Sequence, residues 1–400
     1  MNNIRKLTDS LYWVGVNDRR IALFENVYPV PSGMSYNSYV LLDEKTALFD
    51  TVDASFTHDF MENVAAALNG RSLDYLIVNH MEPDHCASIA DVIAAYPEAK
   101  IVCTAKAVGM MKQFFDFDVD SRAIPVKEGD TVSLGSHELT FVMAPMVHWP
   151  EVMVTYEKTE KILFSADAFG SFGAIDGNIY ADEIDYKGAW LAEARRYYTN
   201  IVGKFGMSVQ GLLKKTSGLD IRMICPLHSV IWREDLSWLL DKYMKWSSYT
   251  PDEKTVMIAY GSVYGHTEKA AEILAGKLAD RGIRHISVYD VSKTHPSYMI
   301  ADAFRSSALV FASITYNGGI FCNMDTLLHQ LAAHGLTNRT VAFIQNGTWA
   351  ATAAKQMGEI LGTLKNINVL EAGVTVKSAL KENQGAELDA LADAIAEALQ

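Results

Sequence analysis

Four side chains able to bind a metal stand within six positions of the stretch VNHMEPDHCAS, residues 78 to 88. They are His80, Glu82, Asp84 and His85. Imidazole nitrogens and carboxylate oxygens are donors that iron, manganese and zinc commonly take from proteins. The stretch directly follows the apolar run YLIV, which is typical of a buried strand. A strand that ends in such a loop would hold these side chains along one rim, so the spacing favours half of a metal site.

Three further polar residues stand where other apolar runs stop. His148 follows FVMAPMV, Asp167 follows ILFSA, and His228 follows IRMICPL. A single histidine after a strand is usually a surface or ordinary structural residue. Seven such residues in one part of the chain instead favour a shared metal site. Five other histidines are interpreted as ordinary structural or surface residues: His58, His137, His295, His329 and His334.

The elements that must position these residues are short strands and a few helices over residues 1 to about 245. Neighbouring strands pair naturally as hairpins, as in VMVTYE-KTE-KILFSA. Helical periodicity appears in FTHDFMENVAAALN, DHCASIADVIAAYP and KGAWLAEARRYYTNIVGKF. Asp84 is predicted to be the N-cap of the second of these helices. A mixed sheet with helices outside it is the expected layering.

A linker rich in serine, proline and charge, MKWSSYTPDEK at residues 244 to 254, ends this pattern. Beyond it, strands and helices alternate regularly. The predicted strands are TVMIAY, HISVYDV, ALVFASIT, TVAFIQNG and INVLEAGVTV. Five such units predict right-handed crossovers and a doubly wound parallel sheet with helices on both faces. We therefore expect one domain over residues 1–250 and a second over residues 254–400.

The loop GSVYGHTEKA after the first of these strands has the composition of a phosphate cradle. Ser262, Tyr264, Gly265 and Thr267 offer hydroxyls and backbone N–H groups at a helix N-terminus, where the helix dipole favours an anion. Neither a Walker A pattern nor G-x-G-x-x-G is present, so a mononucleotide is favoured over a dinucleotide. The loops SITYNGGIF and QNGTWAA follow the third and fourth strands at the same sheet edge. Their glycines, asparagines and aromatic residues suit the approach of a flat ring.

Composition limits the classes of partner. The chain has 400 residues, 49% of them hydrophobic, and a formal charge of −13, which disfavours nucleic acid and anionic membranes. No segment approaches the roughly 20 apolar residues needed to cross a bilayer. Four cysteines stand singly, which argues against a rubredoxin-type iron site or a disulfide framework and favours a reducing cytoplasm. They are Cys86, Cys103, Cys225 and Cys322.

The ordered set of metal-binding residues resembles the metallo-beta-lactamase fold, except that Glu82 stands where a histidine is usual. Glutamate at this position, together with PMVHWP, FSADAFG and HSVIWR, is similar to the flavodiiron, or A-type flavoprotein, family. The resemblance extends over essentially the whole chain. It implies an α/β protein with an N-terminal metallo-beta-lactamase-like αββα domain and a C-terminal flavodoxin-like domain.

The resemblance also implies two iron ions. Three carboxylates and four imidazoles mix hard oxygen with borderline nitrogen, which suits iron or manganese better than a dizinc hydrolase. Tyr197 resembles a tyrosine that hydrogen-bonds a bound intermediate. Glu25 and Asn26 stand where many members of the family carry a histidine that donates protons. The implied ligands are His80, Glu82 and His148 for one metal, Asp84, His85 and His228 for the other, and Asp167 as the bridge.

The loops of the second domain are similar to those of flavodoxins, which implies FMN as a cofactor. Trp349 is expected near the ring system. The implied contacts are Ser262, Tyr264, Gly265, Thr267, Thr315, Asn317, Gly347, Thr348 and Trp349.

These features predict an oxidoreductase that reduces dioxygen to water, nitric oxide to nitrous oxide, or both. Electrons would pass from a separate donor, rubredoxin or a reductase, through FMN to the iron. The family implies a head-to-tail homodimer, alone or as a dimer of dimers, in which FMN of one subunit lies beside the diiron site of the other. Two alternatives stay open: a dizinc hydrolase with a flavodoxin docking module, and an electron carrier whose iron is structural.

Overall fold

The computed structural model describes residues 1 to 400. Two compact units divide the chain: Met1–Tyr198 with Met207–Met244, and Thr199–Gly206 with Lys245–Gln400. The compact units describe packing alone, so the functional domains expected at 1–250 and 254–400 stay a prediction. None of the helices combines the length and the apolar character that crossing a bilayer requires.

The part of the chain before residue 250 contains many short strands and eight α-helices. The strands β1 to β16 are Arg5–Lys6, Leu11–Trp13, Val16–Asp18, Leu23–Phe24, Tyr28–Pro29, Met34–Tyr36, Tyr39–Leu42, Thr46–Phe49, Tyr75–Ile77, Lys100–Thr104, Ala123–Val126, Thr131–Ser133, Glu138–Met143, Met153–Glu157, Ile162–Phe164 and Met223–Cys225. The helices α1 to α8 are Thr57–Leu68, Pro83–Cys86, Ile89–Ala95, Ala105–Phe114, Val119–Arg122, Leu191–Tyr197, Gly206–Thr216 and Leu236–Ser247.

The first unit is built on two mixed sheets, with two further two-stranded sheets, β3-β6 and β4-β5. The larger has the order β1-β2-β7-β8-β9-β10-β11, antiparallel at β7/β8 and parallel from β8 to β11. The smaller has the order β12-β13-β14-β15-β16. Its β14 and β15 form the predicted hairpin, with Thr155 opposite Phe164, and β16 runs parallel to β15. The inner faces meet where Phe49 stacks on Phe164 with ring centroids 3.7 Å apart.

The parallel registers carry polar residues to one edge. Phe164 of β15 pairs with Cys225 of β16, and each strand ends there. Asp167 and His228 both follow three residues later. Because parallel strands end at the same edge of a sheet, the side chains of Asp167 and His228 lie side by side at that edge. Ile77 ends β9 in the same way, three residues before His80.

The part of the chain after residue 250 alternates strands and helices. The strands β17 to β23 are Glu253–Gly261, Ile286–Asp290, Ser306–Tyr316, Gly319–Ile320, Arg339–Asn346, Ile367–Val369 and Val374–Val376. The helices α9 to α13 are His266–Asp280, Pro296–Arg305, Cys322–Ala333, Ala353–Leu361 and Gly385–Ala398.

The second unit is built on a parallel sheet with the order β18-β17-β19-β21-β22 and helices on both faces. Met257 faces the core built with α10 to α12, and Ile258 faces the core built with α9 and α13. This is the predicted doubly wound arrangement.

Two local predictions were wrong. The last predicted strand is two strands, β22 and β23, which pair with the beginning and the end of β21. The helix predicted over residues 84–97 is broken into α2 and α3, and Asp84 lies inside the first turn of α2, whose N-cap is Glu82. Pro83 explains this start, because its fixed φ and missing N–H suit the first helical position. The helix predicted over residues 187–205 is confirmed, although it contains π-helical turns at Tyr186–Trp190 and Tyr198–Val202 on either side of α6.

Candidate metal centre and flavin edge

The seven polar residues predicted at strand ends converge in two groups, which together we call the metal cluster. The ligand atoms within each group lie within 4.8 Å of one another. Every one of the seven residues is at least nine-tenths buried. The first group is His80, Glu82, His148 and Asp167, and the second is Asp84, His85 and His228.

Asp167 joins the two groups. Its Oδ2 lies 3.3 Å from His80 Nε2 and 3.2 Å from His148 Nε2 in the first group. Its Oδ1 lies 3.2 Å from His85 Nε2 and 3.6 Å from His228 Nε2 in the second group. One carboxylate therefore presents a different oxygen to each group, which is the geometry of a bridging ligand.

The spacing of the donor atoms fits two metal ions. His148 Nε2 lies 2.9 Å from Glu82 Oε2, and His85 Nε2 lies 3.0 Å from His228 Nε2. A metal held about 2.1 Å from each ligand separates neighbouring ligand atoms by roughly 3.0 to 3.4 Å. Both carboxylate oxygens of Asp84 and of Asp167 are buried and accept no hydrogen bond from the protein. Buried lone pairs of this kind are costly unless a cation or a donor satisfies them.

The charges within the cluster depend on one another. Burial alone would lower the pKa of His80 and His148, but the carboxylates around them raise that of His80 well above its ordinary value and that of His148 to about 9. Burial would raise the pKa of Glu82 and Asp167, and the neighbouring histidines instead lower it. Protons on the imidazoles thus compensate the carboxylates, and divalent cations would replace those protons on binding.

Hydrogen bonds from the strands fix the backbone that carries the cluster. Asp50, directly after β8, accepts the backbone N–H groups of Asn79 at 2.7 Å and His80 at 3.2 Å. Thr51 donates its N–H and its hydroxyl to the carbonyl of His85, both at 2.8 Å. The Nδ1 of His228 lies 2.7 Å from the carbonyl oxygen of Ser35. The loops are therefore held from outside the cluster.

Two carboxylates that support the cluster were missed in the sequence. Asp50 follows the apolar run TALF, the same signal that singled out His148, so it could have been found. Glu151 lies three residues after His148, and its Oε1 is 2.8 Å from His80 Nδ1. No pattern in the sequence indicates that Glu151 faces His80, which lies 71 positions away.

Glu25 lies beside the cluster, in the left-handed backbone region with φ 51°. Burial, followed by a hydrogen bond to Glu82 and the charge of that carboxylate, raises the pKa of Glu25 to about 8. Its side chain is nevertheless exposed, and it stands at the place in the sequence where the family resemblance would put a histidine.

Tyr197 packs against the cluster, with its ring centroid 5.4 Å from that of His228. The side chain is fully buried, and its hydroxyl has no hydrogen-bond partner in the protein. Burial, with the nearby carboxylates, raises the pKa of Tyr197 well above its ordinary value. The phenol therefore stays neutral and keeps a proton that it can donate.

The predicted flavin contacts lie at the carboxyl edge of the second sheet, in the segments at residues 261–267, 315–319 and 346–352. We call these loops the three-loop edge. In the first loop, Gly265 adopts φ +84°, and its N–H donates to Ser262 Oγ at 3.1 Å. Thr267 is fully buried at the start of α9, whereas Tyr264 is 89% exposed. The loop thus presents a helix N-terminus and an accessible aromatic ring.

The second and third loops are tied together. Thr315 Oγ1 accepts the N–H groups of Thr352 at 3.0 Å and Ala353 at 3.3 Å, which anchors the start of α12. Asn317 forms the turn between β19 and β20 with φ 51°. A side chain at Gly347 would lie 2.7 Å from the carbonyl oxygen of Ala350, so the third loop requires glycine there. Trp349, on the same loop, is 94% exposed.

A fourth segment reaches the three-loop edge, and the sequence did not indicate it. Asn346 exchanges two hydrogen bonds with the backbone of Ser378, which follows β23. The hydroxyls of Ser378 and Thr348 lie 3.1 Å apart. Asn346 also approaches Thr267 Oγ1 at 3.5 Å. This asparagine at the end of β21 therefore links the first loop, the third loop and the end of β23.

Comparison with known proteins agrees with this architecture. Residues 34–229 match the family model described as ODP family beta lactamase. The nitric oxide reductase of Moorella thermoacetica is 33% identical over 93% of this chain and 92% of its own length. Among solved structures, rubredoxin oxygen:oxidoreductase from Desulfovibrio gigas superposes with a TM-score of 0.93 at 28% identity, covering 99% of this chain and 98% of that one.

The flavodiiron protein from Giardia intestinalis also superposes with a TM-score of 0.93, at 26% identity and over 100% of this chain and 97% of that one. These relatives match both units of the chain, whereas the range matched by the family model ends at residue 229, before the second sheet begins. Their names describe oxidoreductases. The chain therefore belongs to the flavodiiron proteins, a family of oxidoreductases that work with a flavin and iron.

Proposed function

We propose that this protein reduces dioxygen to water, nitric oxide to nitrous oxide, or both, at two iron ions held by the metal cluster. The observation that carries the proposal is the placement of Asp167, whose two oxygens face two separate groups of histidines and carboxylates. When bound, the irons would supply the redox chemistry, and FMN would relay single electrons to them. One relative is named as a nitric oxide reductase and another as an oxygen oxidoreductase, which supports both gases as candidate substrates.

The side chains of the cluster have distinct parts in this proposal. Glu82 and Asp84 would each give one metal a carboxylate of its own, and Asp167 would offer one oxygen to each metal. The three carboxylates leave two ferrous ions nearly neutralised, and anionic ligands favour the ferric state. Burial of the cluster excludes bulk water from the reacting atoms. Tyr197 keeps its proton and can donate a hydrogen bond toward the cluster.

FMN is proposed to bind at the three-loop edge. Its phosphate would be held by the hydroxyls and N–H groups of Ser262, Gly265 and Thr267 at the start of α9, where the helix dipole favours an anion. Thr315, Asn317, Gly347 and Thr348 would line the ring system, and the exposed rings of Tyr264 and Trp349 would cover it.

The electron path is proposed to involve partners. The donor is a separate protein, rubredoxin or a reductase, and the protein works in the cytoplasm. The family resemblance supports a head-to-tail homodimer, or a dimer of dimers, in which FMN of one subunit serves the irons of the other. The name of the Desulfovibrio gigas relative supports rubredoxin as one donor.

The alternative of a dizinc hydrolase is not favoured. Glu82 stands where hydrolases of the fold carry a histidine, and the relatives are named as oxidoreductases. An electron carrier with structural iron differs in a measurable way. It predicts that Glu82→Gln and Asp167→Asn leave turnover with a reduced donor intact, whereas the proposed function predicts that both abolish it.

The decisive experiment adds dioxygen or nitric oxide to the fully reduced, full-length protein in an anaerobic stopped-flow instrument and follows flavin reoxidation. We expect rapid reoxidation by at least one gas, together with about two iron ions per chain by metal analysis. About two zinc ions per chain with no gas consumption would contradict the proposal.

A further inference from the structure

The two metal positions of the cluster have matching direct ligands. The first offers the imidazoles of His80 and His148 and the carboxylate of Glu82, with Oδ2 of Asp167. The second also offers two imidazoles and one carboxylate of its own, with Oδ1 of Asp167. A difference between the two metals must therefore come from the groups that contact the ligands from behind.

Behind the first position lies the buried carboxylate of Glu151. Its Oε1 is 2.8 Å from His80 Nδ1 and also accepts the N–H of Met81 at 2.9 Å. His80 is fully buried, and Glu151 is 2% exposed. The other oxygen, Oε2, is buried without a hydrogen-bond partner. Because His80 is the only side chain that hydrogen-bonds this carboxylate, its charge acts mainly on the His80 imidazole.

Behind the second position, neither histidine ring hydrogen-bonds a carboxylate through its Nδ1 atom. His228 Nδ1 lies 2.7 Å from the carbonyl oxygen of Ser35, which carries no formal charge. His85 Nδ1 is buried and has no hydrogen-bond partner. A carboxylate therefore contacts the Nδ1 of a histidine in the first position, and no carboxylate hydrogen-bonds the Nδ1 of either histidine in the second.

We propose that Glu151 is a positioning residue that makes the metal position of His80, Glu82 and His148 the tighter and the more readily oxidised of the two. A carboxylate that accepts the Nδ1–H fixes the tautomer whose Nε2 lone pair faces the metal and makes that nitrogen more basic. A more basic ligand binds the metal more strongly and favours the ferric state over the ferrous state. The inference rests on the proposed diiron function, and it concerns the order of the two metals.

Glu151→Gln separates charge from shape. The amide oxygen of glutamine can still accept from His80 and Met81, so the hydrogen bonds persist while the negative charge is removed. Partners of this kind typically contribute 10- to 100-fold to metal affinity. A matched control is Glu157→Gln, because Glu157 is also fully buried in the first unit but accepts the N–H groups of Thr159 and Glu160 in a turn.

The test titrates the metal-free, full-length protein with ferrous iron under anaerobic conditions, against a competing chelator. We expect the unmodified protein and Glu157→Gln to bind two ions with different affinities. Glu151→Gln should weaken the tighter site alone, by 10- to 100-fold. In the iron-loaded protein, a redox titration followed by electron paramagnetic resonance should show one ferric/ferrous couple shifted to higher potential. The expected shift is about 59 mV for each tenfold loss of ferric affinity relative to ferrous affinity.

Equal weakening of both sites by Glu151→Gln, or no change at either, would overturn the inference while leaving the diiron function in place. Failure of the unmodified protein to bind iron would overturn the proposed function itself, and the inference with it. Should the glutamine variant not fold, Glu151→Asp keeps the charge with a shorter reach. It is expected to weaken the same site alone, and the opposite result would count against the inference.

Discussion

Two clusters of histidine and aspartate in the first unit look alike in composition and differ in how the protein satisfies them. At Asp43, the carboxylate accepts the N–H and the ring Nδ1–H of His137, the hydroxyl of Ser136 and the N–H of Glu44. At Asp167, both carboxylate oxygens are buried and accept no hydrogen bond. His137 and the histidines around Asp167 are all at least nine-tenths buried.

This difference teaches that burial of a histidine beside a carboxylate does not by itself indicate a metal site. The distinguishing feature is a pair of buried carboxylate oxygens that face only imidazole nitrogens, at 3.2 to 3.6 Å, and accept no hydrogen bond from the backbone or from a hydroxyl. The carboxylate of Asp43 accepts four hydrogen bonds and needs no cation. These bonds connect the turn at Asp43 and Glu44 to the turn at Ser136 and His137. The oxygens of Asp84 and Asp167 accept no hydrogen bond, and the donor atoms around them have the spacing of ligands to two metal ions. The same substitution at Asp43 and Asp167 should therefore have different consequences.

The largest effect is expected for Asp167→Asn. The amide replaces one anionic oxygen with an N–H₂ group, which cannot bridge two cations and repels one of them. We expect metal affinity to fall by more than about 100-fold and reoxidation of the flavin by gas to be lost, while FMN stays bound. Iron per chain, measured by elemental analysis, and flavin per chain, measured by absorbance, would check this. Full iron content in the variant would contradict the conclusion that Asp167, unlike Asp43, is a metal ligand.

A smaller effect is expected at the three-loop edge for Thr267→Val. The substitution keeps the shape of the fully buried Thr267 side chain and removes its hydroxyl, which we propose contacts the FMN phosphate. We expect the dissociation constant of FMN to rise about tenfold, equivalent to about 1.4 kcal/mol, with iron unchanged. Fluorescence titration of the flavin-free protein would measure it.

The matched control for that prediction is Thr326→Val, because the Thr326 hydroxyl donates only to the Cys322 carbonyl within its own helix. An unchanged affinity in Thr267→Val, or an equal loss in both variants, would show that the buried hydroxyl does not contact the phosphate.

Tyr197→Phe should have a milder effect on turnover. The hydroxyl of Tyr197 has no partner in the protein, so its removal costs the fold little. If it donates a hydrogen bond toward bound substrate, gas-driven reoxidation of the flavin should slow by roughly 3- to 10-fold, with iron and FMN contents unchanged. Tyr156→Phe is the control, since the Tyr156 hydroxyl donates to the Asp220 carbonyl. Equal rates in all three proteins would remove Tyr197 from the mechanism.

Sequence patterns predicted the parts of this molecule that depend on local periodicity. The seven cluster residues could be found because each stands just after an apolar run, and parallel register carries strand ends to one edge. Glu151 could not be found, because its role depends on which imidazole lies opposite it in space. The link from Asn346 to Ser378 likewise joins loops 32 positions apart. The break between α2 and α3 was not predicted, because the apolar periodicity of the sequence continues across it.

The smallest effect on function is expected for Asp43→Asn, which should leave iron, FMN and turnover unchanged and alter stability alone. Burial would raise the pKa of Asp43, but the hydrogen bonds from His137, Glu44 and Ser136 lower it to about 2, below the ordinary 3.8. Since the folded pKa is the lower one, the ionised carboxylate stabilises the fold above about pH 4, and this contribution is lost as the pH falls toward 2.

Thermal unfolding of the unmodified protein and of Asp43→Asn at several pH values measures this contribution. We expect the variant to unfold a few degrees lower at pH 7, consistent with about 1 to 3 kcal/mol, and the difference to shrink as the pH falls from 4 to 2. A difference independent of pH would show that the charge of Asp43 is not what holds the two turns. Loss of iron in this variant would show that the two clusters are coupled, because a carboxylate complete in itself should not affect one that requires a metal.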